Sequence, residues 1–246
     1  MEASIVSDAK SKVLIHPSVK YLGSQISVGR NSELIIEEGV NVNGSIVITD
    51  NCSVKISAHS ILRNCNIVLK NNTSFSLGKN CVVWSDRWGG VKIKTNKAKI
   101  EIGDNVRIES ASIVAKFGGF LKMGNFSAIG SGSDIRCEES IMMGDFVLIS
   151  YDVCIYDTNT HPINWRERRE RVMAGHPIGV WEIKCPSTKP IIIGDDVWIG
   201  KGATITKGAK IGNRCVIGMR TNIGGMTLKD DVVVVSGHPR VLPNSS

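Results

Sequence analysis

His161 stands in the run Tyr156-Asp157-Thr158-Asn159-Thr160-His161-Pro162, where an imidazole could do acid–base chemistry. Neutral near pH 7, it can take a proton from an attacking hydroxyl. The plainer alternative is a surface histidine with no role. Asp157, four residues earlier, is one carboxylate placed to orient such a ring. Tyr156, Asn159, Trp165, Arg166 and Trp181 flank the same segment and are the candidates for holding a substrate. A second set is cationic. Lys201, Arg220, Lys229 and Arg240 would pair with phosphates, although each alone is more often solvated. The run Arg166-Glu167-Arg168-Arg169-Glu170-Arg171 suits an anionic partner, or else is an exposed turn partly neutralised by its own glutamates. No metal centre is expected, because His16, His59, His161, His176 and His238 include no close pair.

What must position these residues is a repeat. Stepping by six from Ile193 meets Ile199, Ile205, Ile211, Ile217 and Ile223. Gly194, Gly200, Gly212, Gly218 and Gly224 follow five of the six. Met123, Ile129, Ile135, Ile141, Val147 and Val153 form a second run, with looser ones at Ile102–Phe120 and Val28–Ala58. A helix would place apolar residues at i, i+3, i+4 and i+7, and an amphipathic strand at every second residue. Period six fits a short strand plus a turn. Three hexads close a coil of about eighteen residues, and coils stack at strand spacing, ~4.8 Å. That period would set Glu139 beneath Asp157 and Asp134 beneath Asp152.

The pattern fails between Val153 and Ile193. An ordered arm over a cleft is expected there, spanning about 157–190, because long excursions from a solenoid are usually functional or disordered. Its tryptophans, Trp165 and Trp181, argue against disorder. The division expected is an N-terminal segment 1–25, one β-helix domain 26–241 carrying the arm, and a tail 242–246.

Composition agrees. Hydrophobic residues make up 42% of 246, aromatics only 5%, and there are 25 glycines, so the core is small aliphatic side chains among tight turns. The net charge of +7 is compatible with nucleic acid, an anionic cofactor or an acidic polymer. Seven cysteines without a C-x-x-C pair read as scattered reduced thiols. No apolar leader or membrane-length run is evident, so a cytoplasmic protein without membrane insertion is expected.

These hexads resemble the hexapeptide-repeat acyltransferases, of the sugar and polysaccharide O-acetyltransferase type. The resemblance implies an all-β, left-handed parallel β-helix; right-handed crossovers are the general rule. The segment Ile193-Gly194-Asp195-Asp196-Val197-Trp198-Ile199-Gly200-Lys201-Gly202-Ala203 is similar to the one that follows the loop in sugar and xenobiotic O-acetyltransferases. Cys215–Thr221 is similar to their pantetheine-lining coil, and Ser236–Val241 to their closing segment. The family implies acetyl-coenzyme A as cosubstrate, lying between subunits of a homotrimer. Gly200, Lys201, Ala203, Gly218, Met219, Arg220, Lys229 and Arg240 would then line the coenzyme. His161 would be the base, and the Trp198 indole N–H would donate toward acceptor or thioester. The expected reaction is acetyl transfer to a hydroxyl of a bacterial surface glycan (capsule, O-antigen or sialic-acid type) or its precursor. The partners are thus a glycan or sugar acceptor and coenzyme A, with no nucleic acid. Rival readings are a xenobiotic O-acetyltransferase, a γ-type carbonic anhydrase and a non-catalytic scaffold. The chain departs from the maltose and galactoside acetyltransferases in its extra N-terminal coils. It also has Gly130, Gly132 and Cys137 where their acceptor-binding asparagine and aspartate would align.

Overall fold

The computed structural model describes residues 4–21, 23–86, 90–175 and 187–237. Over that length the chain is a parallel β-helix, its short strands stacked in three ladders, as the left-handed hexapeptide type requires. The first face carries Arg107–Glu109, Ala128–Ile129, Leu148–Ile149, Trp198–Ile199, Val216–Ile217 and Val233–Val234. The second includes Ile61–Lys70, Val91–Asn96, Ser112–Lys116, Asp134–Cys137, Cys154–Tyr156 and Thr204–Thr206. The third is a ladder of 10 strands from Lys12–Ile15 to Thr227–Leu228. The coil already begins inside residues 1–25. Ser4–Ser7 pairs with Gln25–Val28, and Lys12–Ile15 with Glu33–Ile36. Among the described residues no helix is long and apolar enough to cross a membrane.

Inward residues form continuous aliphatic columns. Ile193, Ile199, Ile205, Ile211, Ile217 and Ile223 are all at most 2% exposed. Each such side chain stabilises the fold by about 1.5–3 kcal/mol relative to exposure. Strands such as Asp134–Cys137 and Ser140–Met143 bury two residues each, one pleat apart. Counting by six lands on either member of such a pair, and this alters the expected register. The eighteen-residue coil holds from Ile192 to Gly224. Before the arm, coils are longer: Ile129 pairs with Ile149 and Ile135 with Ile155. Glu139 therefore does not stack beneath Asp157, nor Asp134 beneath Asp152; Asp134 pairs with Cys154.

The Gly-Asp and Gly-Asn pairs after the third face are a second device of the scaffold. Asp104, Asn125, Asp145, Asp195, Asn213 and Asp230 each accept a backbone N–H from the preceding coil, at 2.6–2.9 Å. The first five follow a glycine, which the near touch of the next coil requires, whereas Asp230 follows Lys229. A Cβ on Gly144 would lie 2.1 Å from Asp195 Oδ1. Asp195, inside the segment with the family resemblance, is therefore occupied in holding coils together.

Candidate active site

The arm leaves and rejoins the coil at one neck. Thr158 bridges Thr188 antiparallel, the Asn159 N–H donates to the Ser187 carbonyl at 3.2 Å, and the Lys189 N–H to that of Asp157 at 3.0 Å. Beneath the neck Asp157 is fully buried. Its carboxylate accepts the N–H groups of Glu138, Glu139 and Ser140, each at 2.8 Å. Burial pushes its carboxyl above the ordinary aspartate value, against the pull of those three donors. Asp157 thus ties the neck to the turn 138–140, and its oxygens are directed there.

Beyond the neck the chain turns at Thr160, in the left-handed region with φ 62°. The His161 N–H donates to the Asn159 carbonyl at 2.7 Å. Helix α1 follows, Trp165–Gly175. Asn164 caps it, its Oδ1 accepting the Arg166 N–H at 2.9 Å. The Arg168 guanidinium donates to the carbonyls of Pro162 and Ile163 at 2.7 and 2.9 Å, fixing the chain just after His161. Arg166 and Arg169 lie over the exposed Trp165 ring at 4.7 and 4.8 Å. The break in sequence periodicity marked the arm but not this helix, and residues 176–186 of the arm lie outside the described residues.

His161 opens on a cavity of about 270 Å³ lined also by Val114, Lys116, Phe117, Arg136, Glu138, Thr160, Arg171 and Val172. Tyr156 supports its floor: the phenol donates to Asp134, and the Arg136 guanidinium lies 5.3 Å from the ring centre. Burial and that carboxylate raise the Tyr156 phenol far above its usual value, so it stays protonated. Arg136 Nε is buried without a hydrogen-bond partner, an unspent donor of the kind an anion satisfies. Asn159 Nδ2 is likewise buried and unpartnered. Glu138, buried and accepting the Thr158 hydroxyl at 3.2 Å, is the carboxylate that shares the cavity with His161. Neither Glu138 nor Arg136 was a candidate from sequence. The signal was the twenty-residue spacing, which sets Glu138 beneath Thr158 and Arg136 beneath Tyr156. Together these groups make a basic pocket with one imidazole at its rim, able to take a proton from the hydroxyl of an anionic molecule.

Trp198 lies elsewhere. It stands 54% exposed on the first face, between Leu148 and Val216, and lines a hollow of about 260 Å³ with Arg107 and Tyr151. Lys201, ion-paired with Asp152 at 3.6 Å, and Arg220 follow at the corner between the first and second faces. The Arg220 N–H donates to the Lys201 carbonyl at 2.9 Å, and Met219 beside it is 58% exposed. Gly200 belongs to the same corner, where stacking alone requires it: a Cβ would meet the Met219 nitrogen at 2.7 Å. Gly218 follows one coil on. Lys201, Met219 and Arg220 thus offer two cations and an apolar side chain along a glycine-lined corner, which fits a narrow phosphorylated ligand. Ala203 is fully buried in the core and presents no side chain outward. Lys229 follows the third-face strand Thr227–Leu228 and so lies at a different corner from Lys201 and Arg220. Trp181 and Arg240 lie outside the described residues. Among the described residues no group of three His, Cys, Asp or Glu side chains gathers as metal ligands would.

This scaffold has relatives. Residues 190–225 match the family model of the bacterial transferase hexapeptide, six repeats. Over these residues the chain carries the hexapeptide repeat, wound as a parallel β-helix. It is 28% identical over 158 residues to a polysialic acid O-acetyltransferase of Neisseria meningitidis, covering 63% of this chain. That match spans 65% of the relative's length. Among solved structures, the polysialic acid O-acetyltransferase OatWY covers 100% of this chain and 95% of its own at 16% identity and a TM-score of 0.48. A hexapeptide-repeat acetyltransferase of Vibrio cholerae O1 biovar eltor, solved in complex with acetyl-coenzyme A, is 28% identical. It covers 50% of this chain and 60% of its own, with a TM-score of 0.36.

Proposed function

We propose that this protein transfers the acetyl group of acetyl-coenzyme A to a hydroxyl of a bacterial surface glycan, or of its precursor, in the cytoplasm. The observation that carries the reading is the basic cavity at whose rim His161 stands. An acceptor hydroxyl placed there gives its proton to the imidazole as its oxygen attacks the thioester carbonyl, and thiolate and proton leave together as coenzyme A. The carbonyl carbon passes through a tetrahedral oxyanion that a backbone N–H would hold. Arg136, with Nε unspent, and Lys116 orient an acidic acceptor. The polysialic acid relative supports an acidic sugar over an antibiotic hydroxyl. Lys201 and Arg220 hold the phosphates of the coenzyme at their corner, with Met219 against its apolar arm.

The reaction needs two copies of the chain. His161 opens on a cavity of the second face and the arm, whereas Trp198 projects from the first. The first face also exposes Leu148, Tyr151 and Val233, an apolar surface suited to burial against a neighbour. A closed trimer would bring the first face of each copy to the His161 edge of the next. Mixing two inactive variants tests this. His161→Ala and Trp198→Ala are each expected to be nearly inactive alone. Refolded together, they should recover a measurable fraction of parental transfer, because one interface then carries both intact residues. A mixture as inactive as its components, despite proven co-assembly, would rule out the shared site.

A further inference from the structure

Outward residues of the second face change character along its length. On the strands Thr204–Thr206 and Asn222–Gly224, beyond the cavity, Thr204, Thr206, Asn222 and Gly224 carry no charge. On the other side, Lys70 projects from Ile61–Lys70, and Lys92 and Lys94 from Val91–Asn96. All three are exposed. The register continues them into the cavity. Lys70 faces Asn96, which faces Lys116; Lys94 faces Val114, which faces Arg136. From Lys70 to Arg136 the cations cross three strand spacings, about 14 Å. Among the described residues, the carboxylate on the outward side of these strands is Asp134, taken by the Tyr156 phenol, and Glu138 follows Arg136 at the cavity itself.

The third face shows what an ordinary surface of this coil looks like. There Lys12, Lys55 and Lys99 are ion-paired with Glu33, Glu37 and Glu101 at 2.6–2.8 Å. Among the described residues no carboxylate lies within ion-pair distance of Lys70, Lys92 or Lys94. Like charges on neighbouring strands cost stability unless something anionic lies across them. A single sugar in the His161 cavity does not reach Lys70 or Lys92. A chain with a charge on each residue does, and it would be held at several points with little demand on exact fit.

We propose that the second face between Lys70 and Arg136 is a binding track for an extended polyanionic glycan chain, which feeds one of its hydroxyls to His161. The proposal rests on the transfer reading above and narrows it to polymer over nucleotide-activated or single-sugar precursor. The track runs one way, from the cavity toward the N-terminal coils, so bound residues extend from the acetylated one in a single direction.

The test is the triple variant Lys70→Glu/Lys92→Glu/Lys94→Glu, made at exposed positions outside the transfer site. Size-fractionated polysialic acid and polygalacturonic acid serve as acceptors. With long chains the KM should rise about tenfold or more, equivalent to at least ~1.4 kcal/mol. The kcat, the KM for acetyl-coenzyme A and the rate with di- and trisaccharides should stay as in the parent. Added salt should narrow the gap between the two proteins. An unchanged KM for long chains, or a parent indifferent to chain length, would overturn the track. Binding of fluorescent chains to His161→Ala, with and without the triple change, keeps this separate from the transfer reading. If no acceptor is acetylated but the triple change abolishes chain binding, the track stands and the activity falls. If single-stranded DNA binds as tightly as the glycan chains and depends on the same lysines, the glycan assignment is overturned.

Discussion

Alanine at position 161 is expected to lower turnover about 100- to 10,000-fold, with little change in the dissociation constant for acetyl-coenzyme A. The size follows from the chemistry. An alcohol is a poor nucleophile unless its proton leaves as the carbon–oxygen bond forms, and His161 is the base placed at the cavity rim. The selectivity follows from the geometry, because the coenzyme's proposed corner at Lys201 and Arg220 does not include the arm. Folding should hardly change, since the imidazole is exposed and forms no hydrogen bond among the described residues. Steady-state kinetics and calorimetric titration of the same preparation read both halves. Parental turnover in the alanine variant would remove His161 from the mechanism.

Asp157→Ala should fail differently. Among the described residues its carboxylate is the side chain accepting the N–H groups of Glu138, Glu139 and Ser140, and all three would lose that partner. The expected loss is about 3–5 kcal/mol of stability, read as a lower denaturant midpoint. Asp157→Asn should be intermediate. Its carbonyl can take the place of the oxygen serving Glu139 and Ser140, but its amide nitrogen then meets the Glu138 N–H donor to donor. In the asparagine variant the folded fraction should retain the parent's pH–rate profile, because Asp157 acts by holding the neck under His161. A midpoint unchanged in the alanine variant would show that the turn 138–140 needs no such anchor. A profile shifted in the asparagine variant would make Asp157 part of the proton relay after all.

The scaffold was legible because a repeat is a local pattern. Ile193 to Ile223 announced themselves by spacing alone, and each occupies the core. The break after Val153 likewise marked the arm. Register was not legible, since a four-residue strand buries two side chains and the coil length can change by two without disturbing the apolar count. That small error concealed Glu138 and Arg136, which a twenty-residue coil sets beneath Thr158 and Tyr156. Asp157 drew notice by standing four residues before His161. Its three bonds to backbone amides depend on which turn lies below, and no residue type announces that. The segment from Ile193 to Ala203 mixes both kinds of signal. Asp195 and Ala203 serve the stacking of coils and the core, while Trp198 and Lys201 project outward.

The central claim is transfer of an acetyl group to a glycan hydroxyl, and mass spectrometry of the acceptor tests it most directly. Long acidic glycan chains incubated with the protein and acetyl-coenzyme A should gain mass in steps of one acetyl group. Mild base should reverse the gain, as for an ester, and the His161→Ala protein should not produce it. Chains that keep their mass across a panel of acidic and neutral glycans, while the protein binds acetyl-coenzyme A, would contradict the account.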